Sequence, residues 1–166
     1  MRGDIWFRPF ERVDLPMMHA WLQRPHVAEW WAPTPSAAEL ANDYFPAALT
    51  TTRACIAMLQ DEPLGFIQCY TPMDSGEGWW QEERDPGARG IDQFLANAHQ
   101  LGQGLGSAMM RAFVDDIFAD SAVTKVQTDP SPDNERAIRA YRKAGFVDHE
   151  HIITPDGPAL LMLRSR

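Results

Sequence analysis

RGIDQFLANAHQLGQGLG, residues Arg89 to Gly106, is the stretch whose reading decides the fold. Its first half reads as an extended, partly buried segment carrying one carboxylate, Asp92. A turn punctuated by Gly102, Gly104 and Gly106 follows and runs into an apolar-periodic helix, Leu105 to Phe118. A glycine-rich turn at a helix start exposes backbone N–H groups at the positive end of the helix dipole, where phosphates bind well. One short segment therefore offers an anion cradle and an acid/base group a few residues upstream. The same glycines also suit a plain tight turn with an unusual φ. The G-x-G-x-G spacing and the lack of a βαβ unit with a downstream acidic residue disfavour a dinucleotide fold. No Gly-Lys-Ser/Thr follows, which excludes a Walker-type phosphate loop.

The chain has 166 residues, the size of one domain (1–166) with a sizeable core. No apolar run is long enough to span a bilayer. The N-terminal MRGDIWFRPF has no signal-peptide pattern, so a cytoplasmic protein is expected. A formal net charge of −8 argues against a nucleic-acid partner, because phosphate backbones need Lys/Arg patches. It is compatible with a cationic ligand, and equally with simple solubility. Cys55 and Cys69 fall in predicted strands without metal-like spacing and read as buried free thiols; no metal is expected. Two tryptophan pairs, Trp30-Trp31 and Trp79-Trp80, would each place one ring in the core and one in a cleft if they lay on strands.

In chain order, Ile5 to Phe10 reads as a strand. Asp14 is positioned to cap a helix with Pro16 in its first turn, ended by Arg24-Pro25. His26 to Pro35 reads as a loop. Ser36 and Glu39 have capping-box spacing and open a helix to about Leu49, with Pro46 able to shorten it. Arg53 to Leu59 and Leu64 to Thr71 form a hairpin. Pro72 to Gly87 reads as polar turn and acidic loop. After the strand Arg89 to Ala96 and the helix from Leu105 comes a strand, Thr124 to Thr128. Ser131-Pro132 opens a helix that Gly145 closes. Phe146 to Ile153 and Ala159 to Leu163 are the last strands, split by the turn Thr154-Pro155-Asp156-Gly157. The order β-α-α-β-β-β-α-β-α-β-β predicts a mixed α/β domain around a central twisted sheet.

A strand, a Gly-x-Gly turn with its helix, a strand, and then a helix bearing Asn134, Ala137, Tyr141, Gly145 and Phe146 together resemble the GNAT acyltransferase superfamily. That superfamily usually reads Gln/Arg-x-x-Gly-x-Gly/Ala at the turn; here the first position is Leu101, so only the backbone cradle carries over. GWW, DPG-x-RGIDQ-x-LANA-x-QLG-x-GLG, QTDPSP-x-N-x-RAIR-x-Y-x-KAGF and TPDGPA narrow the resemblance to the aminoglycoside 6′-N-acetyltransferases. These blocks run from Gly78 to about Ala159, and the match is weaker from Trp31 to Thr52. The resemblance implies one α/β (α+β) GNAT domain, with about seven strands, about four helices and a V-shaped splay between two central strands. We place that splay between Arg89–Ala96 and Thr124–Thr128.

It also implies acetyl-CoA as co-substrate and a cationic aminoglycoside as acceptor, in a monomer or weak homodimer. Gln103, Gly104, Leu105, Gly106 and Ser107 would then present N–H groups to the pyrophosphate. Asn134 would hold the pantetheine arm, or act only as a helix-start residue. Tyr141 would protonate the departing thiolate, or serve as an aromatic on the helix's core stripe. Asp92, a lone carboxylate in an apolar strand, would take the amine proton; its structural alternative is a salt bridge to Arg89 or Arg111. A polycation calls for a carboxylate-rich pocket, and Glu77, Asp92, Asp129 and Asp156 are the candidate contacts. The family more often has Asp where this chain has Glu77. Asp129 before Pro130 and Asp156 in a P-D-G turn also suit ordinary turn chemistry. Trp79 would pack on a sugar ring and Trp30 would wall the cleft, with Trp31 and Trp80 in the core. His99 is the one histidine near the expected cofactor. Trp79 and Asp156 match the ordinary form of these enzymes, so fluoroquinolone acetylation is not expected. The alternatives are acetylation of another amine, such as a siderophore hydroxylysine, a polyamine or a protein N-terminus, and a non-catalytic acyl-CoA-binding domain.

Overall fold

Period-two alternation and turn residues lay down the strands β1 (Ile5–Pro9), β2 (Arg53–Leu59), β3 (Glu62–Tyr70), β4 (Ala88–Leu95), β5 (Lys125–Thr128), β6 (Val147–Thr154) and β7 (Gly157–Ser165). The computed structural model describes residues 4–166. Met1 to Gly3, the start of the stretch read for a leader, lie outside the described residues. The strands form one mixed sheet in the order β1-β2-β3-β4-β5-β7-β6. Every neighbouring pair is antiparallel except β4 and β5, which are parallel. A parallel pair needs a crossover, and the helix between them supplies it.

The helices are α1 (Leu15–Leu22), α2 (Pro25–Ala28), α3 (Ala37–Tyr44), α4 (Leu105–Phe118) and α5 (Glu135–Lys143). The single-turn α2 was expected as loop. Pro25 ends α1 but also starts α2, because its fixed φ suits the first helical position and Arg24 before it is extended. Ser36 caps α3 as predicted, accepting from the Glu39 N–H at 3.1 Å. That helix stops at Tyr44 rather than Leu49, since Phe45 precedes Pro46 and is pushed out of helical geometry. Asp14 makes no side-chain cap bond to α1. Its buried carboxylate instead accepts two bonds from Arg8, at 2.8 and 2.9 Å, and one from the Glu11 N–H at 2.9 Å.

Helices cover both faces of the sheet. On one face Met109, Phe113 and Ile138 of α4 and α5 pack on Ile67, Ile91 and Val126. On the other, Met18, Trp21 and Leu40 of α1 and α3 pack on Phe66 and Phe94. Large side chains buried this fully contribute about 1.5–3 kcal/mol each through removal of apolar area from water. Cys55 and Cys69 are free and buried in the first cluster. Burial raises both thiol pKa values, Cys69 to about 11, which keeps them protonated and unreactive. Among the described residues no helix is long and apolar enough to cross a membrane.

An early parting of two central strands opens the sheet. β3 stays paired with β4 as far as Leu95. β5 pairs with β4 only at Ala88↔Lys125, Arg89↔Val126 and Gly90↔Gln127. β5 ends at Thr128, two residues before Pro130, which has no N–H to continue a ladder. From Ile91 onward the β4 edge therefore faces a gap, at the predicted splay.

Candidate active site

The start of α4 is shaped by two glycines in the left-handed region, Gly102 at φ 75° and Gly104 at φ 78°. Nothing lies within 4 Å of where a Gly102 side chain would stand, so conformation rather than crowding calls for glycine there. Gly104 caps the helix, and the first-turn N–H groups of Leu105, Gly106 and Ser107 have no carbonyl one turn earlier in the helix. The Ser107 hydroxyl donates back to the Gly104 carbonyl at 3.1 Å, and the Gln103 amide donates to the His99 carbonyl at 2.7 Å. These side chains are tied down, so the turn presents backbone. A Cβ on Gly106 would meet only Leu95 Cδ1, at 3.8 Å, which leaves room above the helix start. Open space, left-handed glycines and first-turn donors together fit a phosphate group.

The gap beside β4 joins the two faces of the sheet. Alternation sends Asp92 and Phe94 toward α1 and α3, and Gln93 and Leu95 toward α4 and α5. Thr128 Oγ1 donates to the Ile91 carbonyl at 3.4 Å, so that carbonyl points toward β5. Backbone groups alternate sides along a strand, and those of Gln93 turn the same way, into the gap. A cavity of about 670 Å³ spans this opening. Trp30, Gln68, Tyr70 and Asp92 line it from one face, and Gln93, Asn134, Ala137 and Tyr141 from the other.

Four aspartates line the cavity, Asp74 at its wall and three whose charges act on one another: Asp92 on β4, Asp129 after β5, and Asp156 in the β6–β7 turn. Burial raises the proton affinity of Asp92; a bond from Gln68 Nε2 at 3.0 Å opposes this, and the charge of Asp156 adds to it. Burial, then the charges of Asp92 and Asp156, likewise push Asp129 up. Tyr141 is only 4% exposed. Burial pushes its phenol up to about 12 against the pull of bonds with Thr128 and Gln93, the latter at 3.3 Å. Tyr141 is therefore protonated at neutral pH. The site sets a carboxyl group of raised proton affinity on one face against a protonated phenol on the other.

Residues 11–154 match the family described as acetyltransferase (GNAT) domain. The chain belongs to the GNAT acetyltransferase family. It is 51% identical over 168 aligned residues to the Klebsiella pneumoniae protein named aminoglycoside N(6')-acetyltransferase type 1, covering 98% of this chain and 84% of that one. Among solved structures it superposes on aminoglycoside acetyltransferase AAC(6')-Ib in complex with coenzyme A and kanamycin at a TM-score of 0.93, with 50% identity, 98% of this chain and 95% of that one. AAC(6')-Ib in complex with ribostamycin and coenzyme A gives a TM-score of 0.95 at 48% identity, over 99% and 94% of the two chains.

In this GNAT acetyltransferase, Trp30, Trp79, Asp92, Asp129, Asn134, Tyr141 and Asp156 all line the one cavity. Gln103 to Ser107 lie outside it, at the start of α4. Glu77 departs from expectation: it is exposed and the wall instead takes Asp74, Ser75 and Gly76. The Trp79 N–H bonds the Gly76 carbonyl at 3.1 Å, closing a turn that leaves Glu77 at its outer corner, with Gly78 at φ 87° beside it. Trp80 is not a core residue. Trp79 and Trp80 sit on an irregular loop with Trp80 at φ 50°, which turns both rings to the cavity with centroids 5.8 Å apart. Trp31 divides its surface, packing edge-on against Phe94 at 5.1 Å while also lining the cavity. Asp92 pairs with Gln68 rather than a cation. Arg89 donates to the Pro86 and Ala88 carbonyls and Arg111 to that of Lys143.

α5 starts at Asn134, not Ser131. Ser131 closes a turn of its own, with the Asn134 N–H on its carbonyl at 3.0 Å and the Asp133 N–H on its hydroxyl at 3.3 Å. Asn134 Oδ1 caps the helix by accepting from the Ala137 N–H at 3.2 Å. Its Nδ2 end remains at the cavity wall. Gln68, Tyr70 and Gln93 line the cavity, with Gln127 bonded to Tyr70 behind it, and were not singled out from the sequence. The available signal was polar or amphipathic residues recurring inside otherwise apolar strands.

Proposed function

We propose that this protein transfers the acetyl group of acetyl-CoA to the 6′-amine of aminoglycosides. The observation that carries the reading is the convergence of Asp92, Asp129 and Asp156, from three separate segments, on one cavity that opens onto the gap beside β4. Such a cluster raises its own proton affinity unless a polycation occupies it. The name of the Klebsiella relative and the kanamycin complex of AAC(6')-Ib support the same acceptor. The acidic balance supports action without nucleic acid. We read the chain, residues 1–166, as a cytoplasmic unit acting as monomer or weak homodimer without a membrane.

Acetyl-CoA supplies the activated thioester when bound. N–H groups of the turn and the first turn of α4, from Gln103 to Ser107, hold its pyrophosphate, and Asn134 holds the pantetheine arm. Asp129 and Asp156 steer the acceptor by its ammonium groups, while Trp79 and Trp30 offer flat apolar surface to the sugar. Asp92 takes a proton from the acceptor ammonium, a task suited to a carboxylate of raised proton affinity. Backbone N–H groups at the gap bind charge developing on the acetyl oxygen, a contribution of about 3–4 kcal/mol per well-placed donor. The neutral amine forms a bond to the acetyl carbon as the C–S bond breaks; Tyr141, held protonated, gives its proton to the leaving sulfur across the gap and regains the one that the new amide nitrogen sheds. The test is a CoA-release screen with acetyl-CoA against kanamycin, tobramycin, gentamicin, spermidine and hydroxylysine. Turnover is expected with the amino sugars; turnover confined to spermidine or hydroxylysine, or absent throughout, would reject the reading.

A further inference from the structure

Tyr70 stands at the end of β3, paired with Gly90 on β4. A side chain at Gly90 would begin 2.1 Å from Tyr70 Cζ and 2.4 Å from its Oη. The ring therefore lies across β4 at a position that only glycine leaves empty. It reaches as far as β5, where Gln127 Nε2 donates to the phenol oxygen at 3.2 Å. Gln127 is 2% exposed, and a buried amide of this kind needs a partner. The bond sets the direction of the phenol: its oxygen accepts from β5, and its O–H proton is left to be given elsewhere. Among the described residues no second hydrogen bond to this phenol is present.

Tyr70 lines the cavity on the same face as Asp92. Burial, with the charges of Asp92 and Asp129 behind it, keeps the phenol protonated. Ionised, the carboxylates only accept, so ammonium groups satisfy them. A neutral hydroxyl on the acceptor needs a donor as well, if burial is not to leave its oxygen unpaired. Gln68, Gln93 and Gln127 each commit one of two amide N–H donors to a neighbour, respectively Asp92, Tyr141 and Tyr70, whereas the single O–H of Tyr70 is committed to none among the described residues.

We propose that Tyr70 is a specificity-determining residue whose O–H donates to a ring hydroxyl of the sugar that carries the acceptor amine. It thereby favours amino sugars over linear amines. The proposal rests on the aminoglycoside reading above. Its test compares kanamycin B with its 3′,4′-dideoxy derivative as acceptors for wild type and Tyr70→Phe. The variant is expected to lose about tenfold in kcat/KM on kanamycin B, the scale of one buried hydrogen bond. It should lose no more than about twofold on the dideoxy acceptor. A second variant, Gly90→Ala, displaces the ring without removing its hydroxyl and should show the same selective loss. Thermal melting of both variants checks that they remain folded. Equal losses on the two acceptors, or none on either, would overturn the proposal while leaving the acceptor assignment intact. A wild type that turns over neither would instead overturn that assignment, and this inference with it.

Discussion

Removing one oxygen from Tyr141 is the sharpest test of the chemistry. Tyr141→Phe preserves the ring that packs edge-on against Phe146 at 5.5 Å and keeps the buried helix face intact. It deletes the only proton that α5 offers across the gap. General-acid assistance contributes about 10²–10⁴-fold, so kcat should fall by at least about 10²-fold. The structural cost is small by comparison. Gln93, at 3.3 Å, and Thr128 each lose a bond with the phenol, worth about 1 kcal/mol apiece, or a melting shift of about 4–8 °C in all for a chain of this size. The KM for acetyl-CoA should change less than about twofold, because phosphate contacts at α4 are untouched. The assay is CoA-thiol release at saturating kanamycin, with melting curves on the same preparations. The phenol titrates at about 12, so no basic limb from it should appear in the wild-type profile below pH 10. A kcat within threefold of wild type would refute the reasoning. So would a loss carried entirely by KM.

Asp92→Asn keeps the bond to Gln68 but removes the base, and should abolish most turnover, about 10²-fold or more. Because the pKa of Asp92 is raised by folding, its charge costs folding energy as pH rises above the ordinary carboxylate value of about 3.9, so the variant should melt no lower than wild type at pH 8, as calorimetry can check. Asp14→Asn should destabilise by about 1–2 kcal/mol at neutral pH, since it breaks charge-assisted bonds in a pair whose cation stays partly exposed. Burial opposes ionisation of Asp14, but the Arg8 bonds prevail and its pKa is lowered. The stability is therefore present above the ordinary carboxylate value of about 3.9, and urea melts of the two proteins should converge as pH falls below it. Gly104→Ala forces a side chain into the left-handed region at φ 78°, at a cost of about 1–2 kcal/mol. Kinetics should show a raised KM for acetyl-CoA with the kanamycin KM unchanged.

Much of the sheet was legible because alternation and turn chemistry are local. β2, α4 and the capping of α3 fall where the residues put them. The misplacements share one cause. Pro25, Ser131 and Asp14 each carry a local signal that two outcomes satisfy, and the neighbours decided between them: a second helix, a turn, and an ion pair. Glu77 stands off the cavity wall because a turn puts it at an outer corner, and a sequence displays its charge but not that corner.

Residue order alone determined the kind of fold, the anion-seeking turn at Gly102–Gly106, and the presence of a carboxylate and a phenol suited to proton transfer. Only the tertiary structure decided that Asp92 and Tyr141 work in one space. Periodicity assigns them to opposite faces of the sheet, which ordinarily keeps two side chains apart. They share a cavity because β5 leaves β4 after three pairs, and strand pairing is a long-range choice between segments that no local pattern encodes.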